Sequence, residues 1–240
     1  MLDSHRYCVA FSTVVRRYWS DLGAFTRPES FQPKQIIYSV GDAPDAIYLI
    51  ESGQVKVVQL SADGEEKIIG LYQEKDLFGE VCICEKAKRE EQAIALEPAT
   101  VSSFSVKAVL ALVAQKPELA LKLLMVFCAR LVECQEEINA LAFDEVRERI
   151  VKELLRLSRS PGGQPESGGV RLAVSLTHQE IAQLANTTRE TVTAIMNEFR
   201  RHDFVDYGQG RILVFPDKLE NYLSKRGSSH PHGPSAGYVS

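Results

Sequence analysis

Residues 176–201, LTHQEIAQLANTTRETVTAIMNEFRR, decide the architecture. Leu176, Ile181, Ala182, Leu184, Val192, Ile195 and Phe199 fall at helical spacing in two short runs, the pattern of two helices packed at an angle. Ala182 is small, as a close crossing requires, and Asn186 stands in the turn, where a residue that tolerates positive φ is needed. Thr188 is placed to cap the second helix. Arg189, Glu190 and Thr193 then project from its first two turns, where a recognition helix presents side chains to base edges. Arginine binds guanine with two parallel hydrogen bonds, and a carboxylate accepts from the cytosine amino group. The basic pair Arg200-Arg201 and the hairpin FVDYGQGRILVF (204–215) follow, so a wing flanks the helices and Arg211 in its turn faces phosphate. The competing reading is a helical hairpin used for protein contacts.

Ahead of this segment the chain changes character twice. From Phe31 to Phe104 short β-rich runs (QIIYSV, AIYLIESG, QVKVVQL, KIIGLY, AIAL and VSSFSV) alternate with turn signals such as Ala62-Asp63-Gly64. That pattern describes an antiparallel barrel or sandwich. After Pro117 no Gly or Pro occurs up to Leu157, and strong helix formers dominate. Leu124, Phe127, Leu131, Cys134, Ile138 and Leu141 are spaced 3, 4, 3, 4, 3 there, an a/d seam for a partner helix that puts Cys134 at a d position. Leu119, Leu123, Val126 and Val132 offer a second face for the barrel. Ser158–Gly169 is rich in Ser, Gly and Pro and reads as a loop, and the stretch after Leu223 reads as a disordered tail.

With 240 residues, 45% of them hydrophobic and 25% charged, the chain has the composition of a globular protein of two modest domains. No run reaches the length of a membrane span, and Tyr7–Val15 leads into Arg16-Arg17 without a signal-peptide cleavage site, which implies a cytoplasmic protein with no membrane partner. The net charge of −4 divides into +1 for residues 169–226 and −5 for the remainder, an acidic front and a near-neutral rear. Cys8, Cys82, Cys84, Cys128 and Cys134 form no CxxC pair, and no histidine lies between residues 6 and 177, so zinc-finger and dithiol readings fail and free thiols remain. His230 and His232 belong to the solvated tail. No phosphate loop, nucleophile elbow or HExxH helix is present, and Glu65-Glu66 and Glu90-Glu91, adjacent along strands, point to opposite faces. An enzyme is therefore not expected.

The combination resembles the cAMP receptor protein/fumarate–nitrate reduction regulator (Crp–Fnr) superfamily of bacterial transcription factors, over roughly residues 25–224. In front the resemblance rests on VGDAPDAIYLIESGQVKV, on DLFGEV and on Gly41, Gly53 and Gly79; behind, it rests on LTHQEIAQLANTTRETV. It implies an α+β chain: a cyclic-nucleotide-binding-type β jelly roll with a helical lead-in (1–116), a long dimerisation helix and hinge (117–157), a C-terminal winged helix-turn-helix (158–226) and a tail (227–240). It also implies a homodimer on a palindromic promoter site, with RNA polymerase as protein partner.

Two departures qualify that picture. The family's cAMP binders carry Gly-Glu followed, about ten residues on, by Arg and a Ser or Thr. Here Gly79, Glu80 and Arg89 match, but Glu90-Glu91 stand where a hydroxyl would bind phosphate, and like charges repel. Cys134-Gln135 replace the Thr-Ser pair that contacts adenine. The pocket is then inherited architecture with a changed or absent effector, its cAMP cassette degenerate. A cyclic dinucleotide or another metabolite stays open, whereas an iron–sulfur cluster lacks ligands and a haem lacks its histidine. On the recognition helix, Arg189 and Glu190 match the family's base-reading pair, but Ala194 replaces the next arginine, which relaxes readout there or shifts it to Thr193 or Asn197. The leading expectation is a homodimeric DNA-binding regulator; the alternative is a sensor or scaffold module acting through protein contacts, with DNA binding lost.

Overall fold

The computed structural model describes residues 28–84, 88–160, 162–208 and 210–227. Cys8, His5, Tyr7–Val15, His230, His232 and residues 228–240 of the tail lie outside them, whereas 224–227, expected to begin a disordered tail, close a helix. The chain divides into two units between Asn139 and Ala140.

The first unit contains, in chain order, strands β1 (Glu29–Phe31), β2 (Ile36–Tyr38), β3 (Ala46–Ser52), β4 (Gln54–Leu60), β5 (Glu66–Gln73), β6 (Leu77–Phe78), β7 (Glu91–Ala95) and β8 (Ala99–Ser105). Two antiparallel sheets result, β1-β8-β3-β6 and β2-β7-β4-β5. The six strands legible in the sequence are all present; β1 and β6, three and two residues long, are too short to show a period. Between the sheets Phe31, Ile50, Phe78 and Val101 meet Tyr38, Val55, Val57, Ala93 and Ala95. Each such large side chain buried contributes about 1.5–3 kcal/mol. Gly53 is required at its position, because at φ 84° an added Cβ would lie 2.3 Å from the carbonyl oxygen of Pro98.

The outer face of the first sheet is covered by helices. Ile47, Leu49, Leu77 and Phe104 pack against Val109 and Leu112 of α1 (Val106–Gln115) and against Leu119, Leu123 and Val126 of α2 (Pro117–Phe143). Helix therefore begins earlier than Pro117. Ser105, at the end of a run read as strand, caps α1 by accepting from the Ala108 N–H at 3.1 Å. Phe127 also packs against this cluster, because it follows Leu123 by one turn and shares its face. Phe127, half-buried, is thus shared between the barrel and the seam expected for it. The exposed stripe of α2 is instead Leu121, Leu124, Cys128, Leu131, Gln135 and Ile138, again spaced 3, 4, 3, 4, 3. Cys134 and Leu141 flank it and are exposed too.

The second unit comprises α3 (Val146–Ser158), β9 (Gln164–Glu166), β10 (Gly169–Arg171), α4 (His178–Ala185), α5 (Arg189–Arg201), β11 (Val205–Gly208), β12 (Arg211–Val214) and α6 (Pro216–Gly227), with sheet order β11-β12-β10-β9. The stretch that reads as one helix from Pro117 to Leu157 is thus two, interrupted at Asp144-Glu145. No Gly or Pro marks the break. It is held by a reciprocal cap between Glu145 and Glu148, by Arg149 donating to the Asp144 carbonyl at 2.9 Å, and by Lys152 on the Asp144 carboxylate. The expected loop 158–169 carries a hairpin, because Ser167 and Gly168 both take positive φ and turn β9 back onto β10. Arg171, buried, grips the Glu166 carboxylate with two hydrogen bonds of 2.6 Å and donates to the Gly208 carbonyl, tying that hairpin to the wing.

Candidate nucleic-acid interface and ligand cavity

In the second unit the helix-turn-helix is built by its caps. Thr177 and Glu180 form a capping box that starts α4, and α4 ends on Asn186 in the left-handed region at φ 52°. Arg149 satisfies the carbonyls of Ala185 (2.9 Å) and Asn186 (3.2 Å) at that end. Thr188 then caps α5 by accepting from the Thr191 N–H at 3.2 Å. Asn186 and Thr188 thus occupy the roles their residue types suggest.

Along α5 the inner face, Val192, Ile195, Met196 and Phe199, is buried, while Arg189, Glu190, Ala194, Asn197 and Arg201 are exposed. Neither the Arg189 nor the Glu190 side chain hydrogen-bonds or ion-pairs with a described residue, so both present their polar groups outward. Glu198, by contrast, pairs with Arg147 of α3, which holds its carboxyl below the usual carboxylate range. Arg211 is half-exposed where β12 begins, beside the wing turn.

Thr193 departs from its expected role. Its hydroxyl donates to the Arg189 carbonyl at 2.8 Å and lies 2.9 Å from Nδ1 of His178, whose Nε2 is 2.9 Å from the Tyr207 hydroxyl. The one Oγ1 proton is engaged within the protein, so Thr193 does not offer it to a base edge. His178 and Tyr207 lie 15 and 14 residues from Thr193 along the chain, beyond any helical spacing rule.

In the first unit a cavity of about 180 Å³ is lined by Tyr38, Val57, Gln59, Ile69, Tyr72, Gly79, Glu80, Val81, Glu90 and Glu91; of the expected pocket residues only Gly79 and Glu80 are among them. Gly79 sits at φ 72°, and a Cβ there would come within 2.9 Å of Arg89 Nη1. Arg89 is buried; its two terminal nitrogens are engaged within the protein, while its Nε has no hydrogen-bond partner among the described residues. It donates to the carbonyls of Gly79 (2.8 Å) and Ala46, lies 3.5 Å from the Glu91 carboxylate and stacks 4.2 Å over the Tyr38 ring. Glu80 is held by Arg130 of α2, which also donates to the Leu77 carbonyl and stacks over Tyr72. Arg130 escapes sequence reading because its partners lie 50 and 53 residues away. The second Glu80 oxygen, Oε2, is buried with no hydrogen-bond partner among the described residues. Burial, and Glu91 next to it, push the Tyr38 phenol far above its ordinary pKa. Cys134 and Gln135 are exposed on α2 and do not line the cavity.

Residues 80–84 form a 3₁₀ turn. Cys82 is buried, donates weakly to the Ala46 carbonyl and has its thiol pKa raised by burial, which makes it an inert packing residue. Among the described residues no group of three or more His, Cys, Asp or Glu side chains could hold a metal, and no helix is long and apolar enough to cross a membrane.

These two sites lie in matching family domains. Residues 28–116 match the cyclic nucleotide-binding domain, and residues 148–222 match the Crp-like helix-turn-helix domain. The chain is 31% identical over 198 residues to a CRP-like cAMP-activated global transcriptional regulator of Mycobacterium tuberculosis, covering 81% of this chain and 88% of that one. It is 29% identical over 189 residues to the global nitrogen regulator of Synechococcus elongatus, covering 78% and 85% of the two chains. A solved CRP/FNR-family transcriptional regulator from Thermus thermophilus superposes with a TM-score of 0.69 at 26% identity, over 84% of this chain and all of that one. A sandwich with a cavity, followed by a winged helix-turn-helix whose recognition helix leaves an Arg-Glu pair outward, makes this chain a member of the Crp–Fnr superfamily of DNA-binding transcription regulators.

Proposed function

We propose that the protein is a homodimeric cytoplasmic regulator that reads a two-fold symmetric promoter site, works with RNA polymerase, and answers to an effector other than cAMP. The observation that carries the DNA half is the uncommitted Arg189-Glu190 pair on the first turn of a doubly capped helix. Asn197 extends that surface, and Arg211 in the wing serves phosphate. For the dimer, the supporting feature is the exposed stripe of α2, with Leu124, Leu131 and Ile138 each 56–63% exposed and seven residues apart. Monomeric proteins rarely leave such a stripe in water. The order of sensing, dimerisation and hinge, and DNA binding is retained in this reading, but the DNA-binding part starts with α3 at Val146 rather than at 158, because Arg147 and Arg149 bond to α5 and to the end of α4; the interruption at Asp144-Glu145 supplies the hinge.

For the effector half, the Mycobacterium relative is described as cAMP-activated, and the residues of this cavity do not fit a cyclic phosphate. The terminal nitrogens of Arg89, which would bind it, already meet two carbonyl acceptors and a carboxylate, leaving only its buried Nε unpartnered, and every charged group lining the cavity is a glutamate. A neutral or donor-bearing metabolite suits Glu80 Oε2 better. No enzymatic step is assigned. Two experiments test the reading. Chromatin captured with the tagged protein should yield a symmetric motif, and purified full-length protein should bind duplexes carrying it. Absence of sequence preference would favour the protein-contact module instead. Calorimetry should find no cAMP affinity tighter than about 1 mM, roughly −4 kcal/mol, and micromolar binding that raises operator affinity would overturn the effector half.

A further inference from the structure

Among the described residues, α4, α5 and the wing strand β11 are joined by one continuous hydrogen-bond chain, and its direction can be deduced. Thr193 has one hydroxyl proton, directed to the Arg189 carbonyl at 2.8 Å. Toward His178 the same oxygen must accept, so Nδ1 carries the imidazole proton. Nε2 of the neutral ring is then an acceptor, and the Tyr207 hydroxyl donates to it. The order is Tyr207 O–H to His178 Nε2, His178 Nδ1–H to Thr193 Oγ1, and Thr193 O–H to the carbonyl of Arg189.

The chain ends where ordering matters most. Arg189 is the first residue of α5, and first turns fray because their N–H groups lack helical partners. Thr188 caps this turn from one side; the Thr193 hydroxyl holds its carbonyl from the other. We propose that Tyr207, His178 and Thr193 are positioning residues that hold the Arg189 turn in register with the wing, so that base discrimination by Arg189 depends on a strand that does not read bases itself. This rests on Arg189 being the base reader. A side chain whose turn is already ordered loses less freedom on binding, and correct bases benefit more than incorrect ones because they alone demand two-pronged alignment.

The test uses full-length protein and a duplex library with a randomised centre, sequenced before and after capture, with uniform affinity measured on a scrambled duplex. Thr193→Val removes the hydroxyl at constant shape, Tyr207→Phe removes the first donor and keeps the ring, and Thr193→Ser restores the link. Preference at the base pair that Arg189→Ala flattens should fall about fivefold in Thr193→Val and in Tyr207→Phe, the effect of one net hydrogen bond. It should fall no further in the double variant, and Thr193→Ser should recover it, while scrambled-duplex affinity stays unchanged. Four results would overturn the relay: unchanged preference in both variants, loss that is equal on all sequences, additive losses, or loss in Thr193→Val alone. If Arg189→Ala itself leaves every preference intact, the recognition-helix reading fails instead.

Discussion

Arg89 in the front unit and Arg189 in the rear unit are the same side chain in opposite circumstances. Arg89 is buried against two carbonyls, a carboxylate and an aromatic ring, every one of them supplied by the protein. Arg189 is exposed on a capped first turn and makes no side-chain hydrogen bond or ion pair with a described residue. A guanidinium already provided with acceptors is part of the fold, whereas one left without them is available to a ligand. The difference teaches that a family motif in the sequence identifies a place, and the partners around it decide whether that place still binds what the family binds.

The sharpest way to break this comparison acts on both units at once. If the rear unit binds as one of a pair, separating the pair should cost more than any single contact. Leu131→Glu with Ile138→Glu puts four charges into the proposed seam, with no partner to offset their desolvation. Both positions are exposed in the single chain, so each protomer should still fold. Sedimentation should show monomers, and affinity for a full symmetric site should fall about 10²–10⁴-fold, the factor that joining two half-site readers confers. A wild-type monomer that binds the full site as tightly would remove the dimer.

Next in size is Arg89→Ala. It removes the guanidinium from the Glu91 carboxylate, which keeps the Tyr38 hydroxyl, and the charged donor from the Gly79 and Ala46 carbonyls, which keep weak contacts from Cys82, so the front unit should lose about 3–5 kcal/mol of stability. Chemical denaturation with a front-unit probe measures this. A loss below about 0.5 kcal/mol, typical of a surface position, would mean Arg89 is available to a ligand after all. Arg189→Ala is the counterpart. Stability should stay within about 0.5 kcal/mol while specific DNA binding weakens by about 1–3 kcal/mol and one base pair loses its preference.

The sequence reveals these two arginines unequally, for a physical reason. Asn186 and Thr188 are local: caps and turns act over three or four residues, so their roles follow from spacing alone, as does the exposure of Arg189 and Glu190 on the first turn. The six strands that sit in longer β-rich runs and the barrel-facing residues Leu119, Leu123 and Val126 are legible for the same reason, through period 2 and period 3.6. What escaped is long-range or needs a third dimension. Arg130 meets Glu80 across 50 residues, and His178 joins Thr193 to a strand 29 residues away. Phe127 satisfies the heptad count, yet it also packs on the barrel, because a straight helix of 3.6 residues per turn drifts against a 3.5-residue repeat. The break at Asp144-Glu145 carries no Gly or Pro, and side chains of the following helix enforce it.

The smallest expected effect concerns His178, on the rear side of the comparison, where a titratable group is neither committed to an ion pair nor fully in solvent. Burial lowers its pKa, and the positive charge of Arg189 on α5 lowers it further. The groups it meets directly, Thr193 on α5 and Tyr207 on β11, are uncharged hydroxyls that suit the neutral ring. Because the unfolded chain binds this proton more readily than the folded one, the stability contribution is complete above the ordinary histidine pKa of about 6.5. It declines as the pH falls from there toward the depressed folded value and levels off below it. Protonation also turns Nε2 into a donor, which forces the Tyr207 hydroxyl to rotate away. Thermal melts of wild type and His178→Gln across this range should therefore diverge, the wild type losing stability on acidification more steeply than the variant. A wild type that gains stability relative to His178→Gln as the pH drops would mean that an anion faces the ring, and the Tyr207–His178 link would have to run from the ring to the tyrosine oxygen.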